Sequence, residues 1–469
     1  MVASRADGRD ETGAATAGPT PCGEGAVTDL RAAVAAQRGR IRADLERLVR
    51  IPSVAFEGFD PGPVRESAEA TAEILREAGV PDVRLIDVPG GHPAVFGELP
   101  APAGAPTVLL YAHHDVQPAG PEELWSTPPF EPVERDGRLY GRGAADDKSG
   151  IAIHAAAIRA FDGRPPVGVK VLVEGEEEAT TDNLPRLIRE NRDRFAADAV
   201  IVADSGNRRT GEPTLTTTLR GVVDCTVEVQ TLERPVHSGA YGGGAPDALM
   251  ALIKALATLQ DGRGSCAVPG LAAMPWRGAE EPEEDFRREA GVLAGVELVG
   301  EGPLAERLWT RPAVNVIGID APPVHGARNI LVDRARAVVS LRLAPTDDPE
   351  RALDLLVDHL RRAVPWGARF TVTRGDPGRG FACRTDGPAY AVARRALAEA
   401  YGRPAVEVGS GGSIPLVPAL AEVLPGAEIL LMGAMDDRSN IHAQDESVDL
   451  AEVERAALAE ALLLRYLAG

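Results

Sequence analysis

The chain has 469 residues, 44% of them hydrophobic and 26% charged, with a formal net charge of −20. That length exceeds one ordinary core and predicts two domains. The acidic balance argues against nucleic acid or an anionic membrane as partner, and no apolar run approaches the roughly 20 residues of a membrane helix. The four cysteines, Cys22, Cys225, Cys266 and Cys383, show no zinc-binding spacing and fit a reducing, cytoplasmic setting. Residues 1–26 are rich in Gly, Ala, Thr and Asp, lack the apolar centre of a signal peptide, and read as a disordered leader.

Taken in order, a stripe of Leu30, Val34, Ile41, Leu45 and Leu48 predicts one helix over 28–50, stopped by Pro52. A second helix is expected over 64–78 and a strand over 83–88. The apolar run 107–112 has the length of a buried strand and ends in His113-His114-Asp115. His113 and Asp115 are two apart, so an extended backbone turns both to one face, as a ligand and its orienter. Beyond a Trp- and Pro-bearing loop stand Asp146 and Asp147, the latter suited to cap a helix over 148–161. A strand over 168–173 runs into Glu174-Gly175-Glu176-Glu177-Glu178. A helix over 183–195 follows, then a strand over 198–203 ending in Asp204. Strands alternating with helices argue a mainly parallel sheet covered by helices, with ligands gathering at the carboxyl ends of its strands.

From about residue 217 the pattern changes. It reads strand 222–231, helix 247–259, strands 313–319 and 335–343, helix 349–364 and strand 369–373, the fifth element opened by Thr346-Asp347-Asp348-Pro349. This β-α-β-β-α-β order is the ferredoxin-like arrangement. It predicts a domain over 217–374 inserted between two parts of a catalytic domain, 27–216 and 375–469. Residues 262–312 form a long insertion within it, to which the sequence gives no role. A helix over 389–401, a Gly-rich turn, a strand over 428–432 and a helix over 450–467 restore the α/β pattern.

Carboxylates and imidazoles without thiolates suit divalent zinc, manganese or cobalt. Two ions close together need a shared anion and private ligands. Asp146 is the natural bridge, with His113, Glu178, Asp204 and His442 as the private set. Such a pair can share a water, lower its pKa and polarise a carbonyl. Glu177, next to Glu178, is placed to take the water's proton and hand it to a leaving amine. Asp115 can hold the second nitrogen of His113. His92, His154, His325 and His359 read as structural or surface residues. The Gly-rich turn lacks the Lys-Ser/Thr ending of a phosphate loop.

The segments LVRIPSV, AHHDVQP, LYGRGAADDKSG, EGEEE, LRG, HSGAYGG, SLRL, GGSIP and NIHAQDE occur in this order. Together they resemble the dinuclear zinc metallopeptidases that include aminoacylase, carboxypeptidase G, succinyl-diaminopimelate desuccinylase and carnosinase, and most of all the carnosinase-like dipeptidases. The resemblance covers nearly all of the chain from about Leu45. It implies one ion on His113 and Asp204 and the other on Glu178 and His442, bridged by Asp146, with zinc as the usual metal. It implies that the inserted domain is a lid carrying the contact of a homodimer, and that His237 reaches across that contact to steady the oxyanion. Arg342 would grip the substrate's carboxylate, and Ser413 would join it in binding the substrate. The expected reaction is cleavage of the amide bond of a dipeptide or short peptide. Deacylation of an N-acyl amino acid is the alternative, since it uses the same chemistry. A non-catalytic binding protein of this fold would have lost Glu177 or a ligand, and all are present. Asp445 departs from the pattern, standing where Asn is usual.

Overall fold

The computed structural model describes residues 24–179, 181–412 and 414–469. Residues 1–23 of the expected leader therefore lie outside the described residues, and its last three open a helix, Glu24–Ala35. Among the described residues no helix is long and apolar enough to cross a membrane.

A nine-stranded sheet organises most of the chain. Its order is Asp82–Ile86, Ala94–Leu99, Gly168–Glu174, Thr107–His113, Ala199–Val202, Glu428–Leu431, Thr214–Leu219 and Phe381–Ala382, with Val406–Ser410 also paired to Thr214–Leu219. Along Thr107–His113, Val108, Leu110 and Ala112 enter one apolar core and Leu109 and Tyr111 enter the other. Side chains alternate on a strand, so helices on both faces bury the whole run. One face is covered by helices that include Arg38–Val49, Gly62–Glu77, Lys148–Arg159 and Leu450–Leu467, and the other by Asn183–Glu190 and Leu416–Val423. Lys148–Ile158 is buried on every side, which is why its sequence, KSGIAIHAAAI, shows no polar face.

The sheet is mixed rather than mainly parallel. Gly168–Glu174, Thr107–His113, Ala199–Val202 and Glu428–Leu431 run parallel at its centre. Its flanks are antiparallel, at Asp82–Ile86 with Ala94–Leu99, Ala94–Leu99 with Gly168–Glu174, and Phe381–Ala382 with Thr214–Leu219. Ala94–Leu99 was not expected, because Gly97 and Glu98 interrupt its apolar alternation. A Cβ on Gly97 would meet Val80 Cγ1 at 2.9 Å, so close packing requires the glycine. The expected helix over 28–50 is also two helices. Between Glu24–Ala35 and Arg38–Val49 the Gln37 amide donates to the carbonyls of Ala33 and Ala156, both at 3.2 Å, and the chain turns there.

A second, four-stranded antiparallel sheet has the order Ala313–Asp320, Arg334–Leu343, Gly221–Gln230, Arg369–Arg374. Helices Ala248–Leu256 and Pro349–Ala363 pack on one face through a core that includes Val223, Val227, Leu341 and Leu356. Asp247 and Asp348 cap these helices by accepting from the N–H groups of Met250 and Arg351. The chain passes from the large sheet to the small one at Arg220, between Thr214–Leu219 and Gly221–Gln230. It returns beside the same point, where Gly378 exchanges backbone hydrogen bonds with Val222.

Candidate metal centre and active site

The four parallel strands deliver their carboxyl ends to one edge. Thr107–His113 ends on His113 itself, and its neighbour ends on Glu174, which leads into Glu177 and Glu178. Ala199–Val202 precedes Asp204, and Glu428–Leu431 precedes the loop that carries His442. The imidazole and carboxylate atoms of His113, Asp146 and Asp204 lie within 4.8 Å of one another, and so do those of Asp146, Glu178 and His442. Asp146 is common to both groups. Its Oδ1 is 3.0 Å from His113 Nε2, and its Oδ2 is 3.0 Å from His442 Nε2. His442 Nε2 is also 3.2 Å from Glu178 Oε2. Gln117 Nε2 donates to the same Glu178 oxygen at 2.8 Å.

Several of these groups are fixed by buried partners. His113 Nδ1 donates to the Asp115 carbonyl at 3.1 Å, which leaves Nε2 facing the cluster. The Asp115 carboxylate, 3.4 Å from the same ring nitrogen, also accepts the backbone N–H groups of Glu177 and Glu178, both at 3.1 Å. One side chain thus orients a ring and clamps the turn bearing the two glutamates. Asp146 is fixed by Glu446, whose carboxylate accepts the N–H groups of Gly143 (3.0 Å), Ala145 (2.9 Å) and Asp146 (3.1 Å) and pairs with Arg142 at 2.6 Å. The His442 loop is held by a two-pronged pair of Arg138 with Asp436, at 2.7 and 2.8 Å. Asn440, His442 and Asp445 all have positive φ there. Such conformations persist where the surroundings enforce them. The Asp445 carboxylate does so by accepting from the Ser126 N–H and hydroxyl, both at 2.8 Å. In the entry motif, Ser53 donates to the His114 carbonyl at 2.6 Å, and the buried Lys148 ammonium donates to the Leu48 and Ile51 carbonyls.

The electrostatics are those of too many buried acids. Burial and then Asp146 push Asp204 up to about 7. Burial and then Asp204 push Glu177 well above the carboxylate range. Burial raises Asp147 strongly as well. Burial opposes charge on His113, yet its hydrogen bonds to Asp115 and Asp146 win and raise it. Hydrogen bonds to Asp146 and Glu178 raise His442 to about 10. Oxygen and imidazole donors in two triads sharing one carboxylate, with repelling acids between them, fit divalent cations.

Some expected residues stand elsewhere. His237 is exposed on the two-stranded antiparallel sheet of Val236–His237 and Ile330–Leu331, and its Nδ1 accepts the N–H groups of Gly239 and Ala240, both at 3.1 Å. Arg342 lies inside the small sheet, paired with Val222 and Ala313. Neither belongs to the cluster. Ser413 lies outside the described residues. Asp147 occupies the N-cap position of Lys148–Arg159 but makes no capping bond; its Oδ2 accepts the His113 N–H at 3.3 Å instead. His114 faces away, donating to the Pro93 carbonyl, and burial pushes it down to about 4. His154 is structural, buried between Glu460 and the Tyr111 carbonyl. Glu446, Arg142 and Arg138 were given no role from the sequence. Glu446 ends the NIHAQDE segment, and that position was its only signal.

The sequence profile described as peptidase family M20/M25/M40 matches residues 109–466. The chain is 38% identical over 436 residues to a cysteinylglycine-S-conjugate dipeptidase of Corynebacterium striatum, covering 90% of this chain and 96% of that protein. It is 28% identical over 430 residues to a β-Ala-His dipeptidase of Rattus norvegicus, covering 87% of this chain and 85% of that protein. In structure it resembles the di-peptidase Dug1p of Saccharomyces cerevisiae, with a TM-score of 0.79 at 22% identity, over 94% of this chain and 98% of that one.

Two expectations follow from the geometry. Glu446→Gln keeps the shape but turns an amide NH2 toward the backbone donors of the Asp146 loop. It should weaken metal binding by about 10–100-fold, read by chelator competition. The second concerns pH. In chelator-treated protein Asp204 binds its proton more tightly folded than unfolded, so it contributes stability at low pH that is lost between about 4 and 7. The raised histidine His442 adds stability that is lost as pH rises from its ordinary value toward about 10. Asp146, pulled below its ordinary value, acts in the opposite sense, and only below about pH 4. The unfolding temperature should therefore fall from pH 5 to 9, and added zinc should flatten the dependence.

Proposed function

The chain belongs to peptidase family M20/M25/M40, and on that footing we propose that it is a metal-dependent dipeptidase whose centre holds two divalent ions, zinc foremost. The observation that carries this reading is the pair of ligand groups sharing Asp146, with Glu177 beside them. Dipeptidase names among the relatives of high coverage support a dipeptide as substrate. His113, Asp146 and Asp204 would hold one ion, and Asp146, Glu178 and His442 the other. When bound, the ions supply Lewis-acid activation of water and of the scissile carbonyl. Glu177 takes the proton of the attacking water on its carboxylate and passes it to the leaving amine. Asp115 sets the position of Glu177 through the backbone N–H it accepts.

The finer reading extends to the second sheet. We take the inserted unit, expected over 217–374, as a ferredoxin-like lid, a reading supported by the strand order and the two helices on one face. Its edge strand Ala313–Asp320 exposes Val316, Ile317 and Ile319, and the helix Ala248–Leu256 exposes Met250 and Ile253. An unpaired apolar edge of this kind suits a second copy of the chain, giving a homodimer. His237 would then reach the partner's centre. Its Nδ1 already accepts two N–H groups, so in the neutral ring Nε2 carries the proton and is the donor left for an oxyanion. Arg342 would grip the substrate's carboxylate, and Ser413 would join it in binding the substrate. The three unpaired thiols Cys225, Cys266 and Cys383 suit a cytoplasmic protein.

A panel of dipeptides and N-acyl amino acids, read by amine release from metal-loaded protein, tests the substrate class. Release from acyl amino acids alone would overturn the dipeptidase reading. Glu177→Gln should keep its metals and lose about 10²–10⁴-fold in kcat, whereas Glu178→Gln should lose metal; elemental analysis beside turnover separates the two. His237→Ala should cut kcat by about 10²–10³-fold with metal content unchanged. Mixing it with Glu177→Gln chains should restore activity, because one site of each mixed dimer then carries neither defect. Verified subunit exchange without recovery would exclude action across the interface.

A further inference from the structure

We propose that the cavity enclosed by the 262–312 segment binds an aliphatic monocarboxylate, its chain against the apolar wall and its carboxylate at Arg220. The cavity holds about 700 Å³ and is lined also by the start of Ala313–Asp320. That volume falls in the usual range for small-molecule sites. None of the residues of the metal cluster lines it.

The wall includes Phe286, Val296, Leu298, Val299 and Leu304. Val296 is 50% exposed and Val299 66% exposed, so apolar side chains here remain uncovered by the protein's own core. Small, partly enclosed apolar surfaces of this kind gain most from an apolar ligand.

Arg220 supplies the polar end. It is only 5% exposed, yet among the described residues no carboxylate pairs with it. Its Nη1 donates to the Leu308 carbonyl at 2.8 Å and its Nη2 to the Arg311 carbonyl, while Nε is buried without a partner among the described residues. The charged group that acts on it is another arginine, Arg342, and burial together with that neighbour pushes Arg220 down to about 10. A buried guanidinium whose hydrogen-bond partners are neutral carbonyls, beside a like charge, lacks a counter-charge, and a carboxylate entering along the cavity wall would supply it. Arg307, also on the wall, bonds only carbonyls through Nη1 and likewise has a buried, unpartnered Nε. Of the acids on the wall, Glu301 is engaged by Arg263, which leaves Glu297 against two arginines without acids. The balance of charge therefore favours an anion. The ligand must be amphipathic, since the polar demand is confined to one end.

Calorimetric titration of the full-length, metal-loaded chain with octanoate tests this. One octanoate should bind per chain, with octan-1-ol and octylamine at least about tenfold weaker, as the loss of a charge-assisted hydrogen bond requires. Val296→Trp fills the cavity from an exposed position and should weaken octanoate at least about tenfold, leaving dipeptide hydrolysis and the unfolding temperature unchanged. The proposal is overturned if octanoate does not bind below its micelle-forming concentration, if octan-1-ol binds equally well, or if Val296→Trp binds octanoate as the wild type does. The last result would move the binding to the metal centre or elsewhere.

Discussion

The fold is organised around an electrostatic problem: acids gathered where water is scarce. Asp146, Asp147, Asp204, Glu177 and Glu178 meet at one sheet edge with only two imidazoles among them. Unpaired, such carboxylates hold protons rather than charge, which is what burial does to Asp204 and Glu177. The parallel centre of the sheet makes the gathering possible. Four strands that run the same way end together, so residues far apart in sequence arrive at one edge without any strand leaving the core.

Holding the groups there is a separate task, and it falls to buried polar pairs rather than to packing. Arg138 with Asp436 and Arg142 with Glu446 are all but inaccessible to solvent. Pairs like these add little net stability, yet breaking one costs about 3–5 kcal/mol because the other charge stays buried. Their value lies in geometry. Glu446 fixes Gly143, Ala145 and Asp146 through their backbone N–H groups, and Asp436 anchors a loop in which His442 takes a left-handed backbone. Asp115 does the same for Glu177 and Glu178. Residues of the metal cluster are thus positioned by carboxylates that stand outside it.

What was legible in the sequence divides along this line. Apolar runs ending in His113, Glu174–Glu178 and Asp204 are local signals, and the strands appear where those runs are. The closing helix Leu450–Leu467 matches its expected limits for the same reason. Glu446 was opaque, because its partners, Arg142 and three backbone N–H groups, lie about 300 residues earlier and the backbone groups carry no side-chain signature. Asp147 misled, because its place before a helix suggests a cap, while its carboxylate turns back to the His113 N–H. The sheet's antiparallel flank was hidden by Gly97, which close packing requires and which a periodicity argument counts against a strand.

The 262–312 segment had no reading from sequence, and its contacts supply one. On one side Arg208 and Arg209 pair with Glu281 and Asp285, and the Ala279 N–H donates to the Glu407 carbonyl beside the large sheet. Trp276 and Trp309 stack edge to face over Val408. On the other side the Ala272 N–H donates to Asp347, and Arg351 donates to the Gly270 carbonyl, both next to the small sheet's helix Pro349–Ala363. Without this segment the two sheets would be joined by little more than the crossing at Arg220 and the return at Gly378, which lie side by side. Two adjacent strands act as a hinge, whereas a third attachment away from them restrains rotation about it. Arg220 sits where the crossing meets the strap, its backbone N–H on the Ser410 and Gly412 carbonyls and its guanidinium on carbonyls of the strap. Its missing counter-charge is therefore at the junction of both sheets and the segment that ties them.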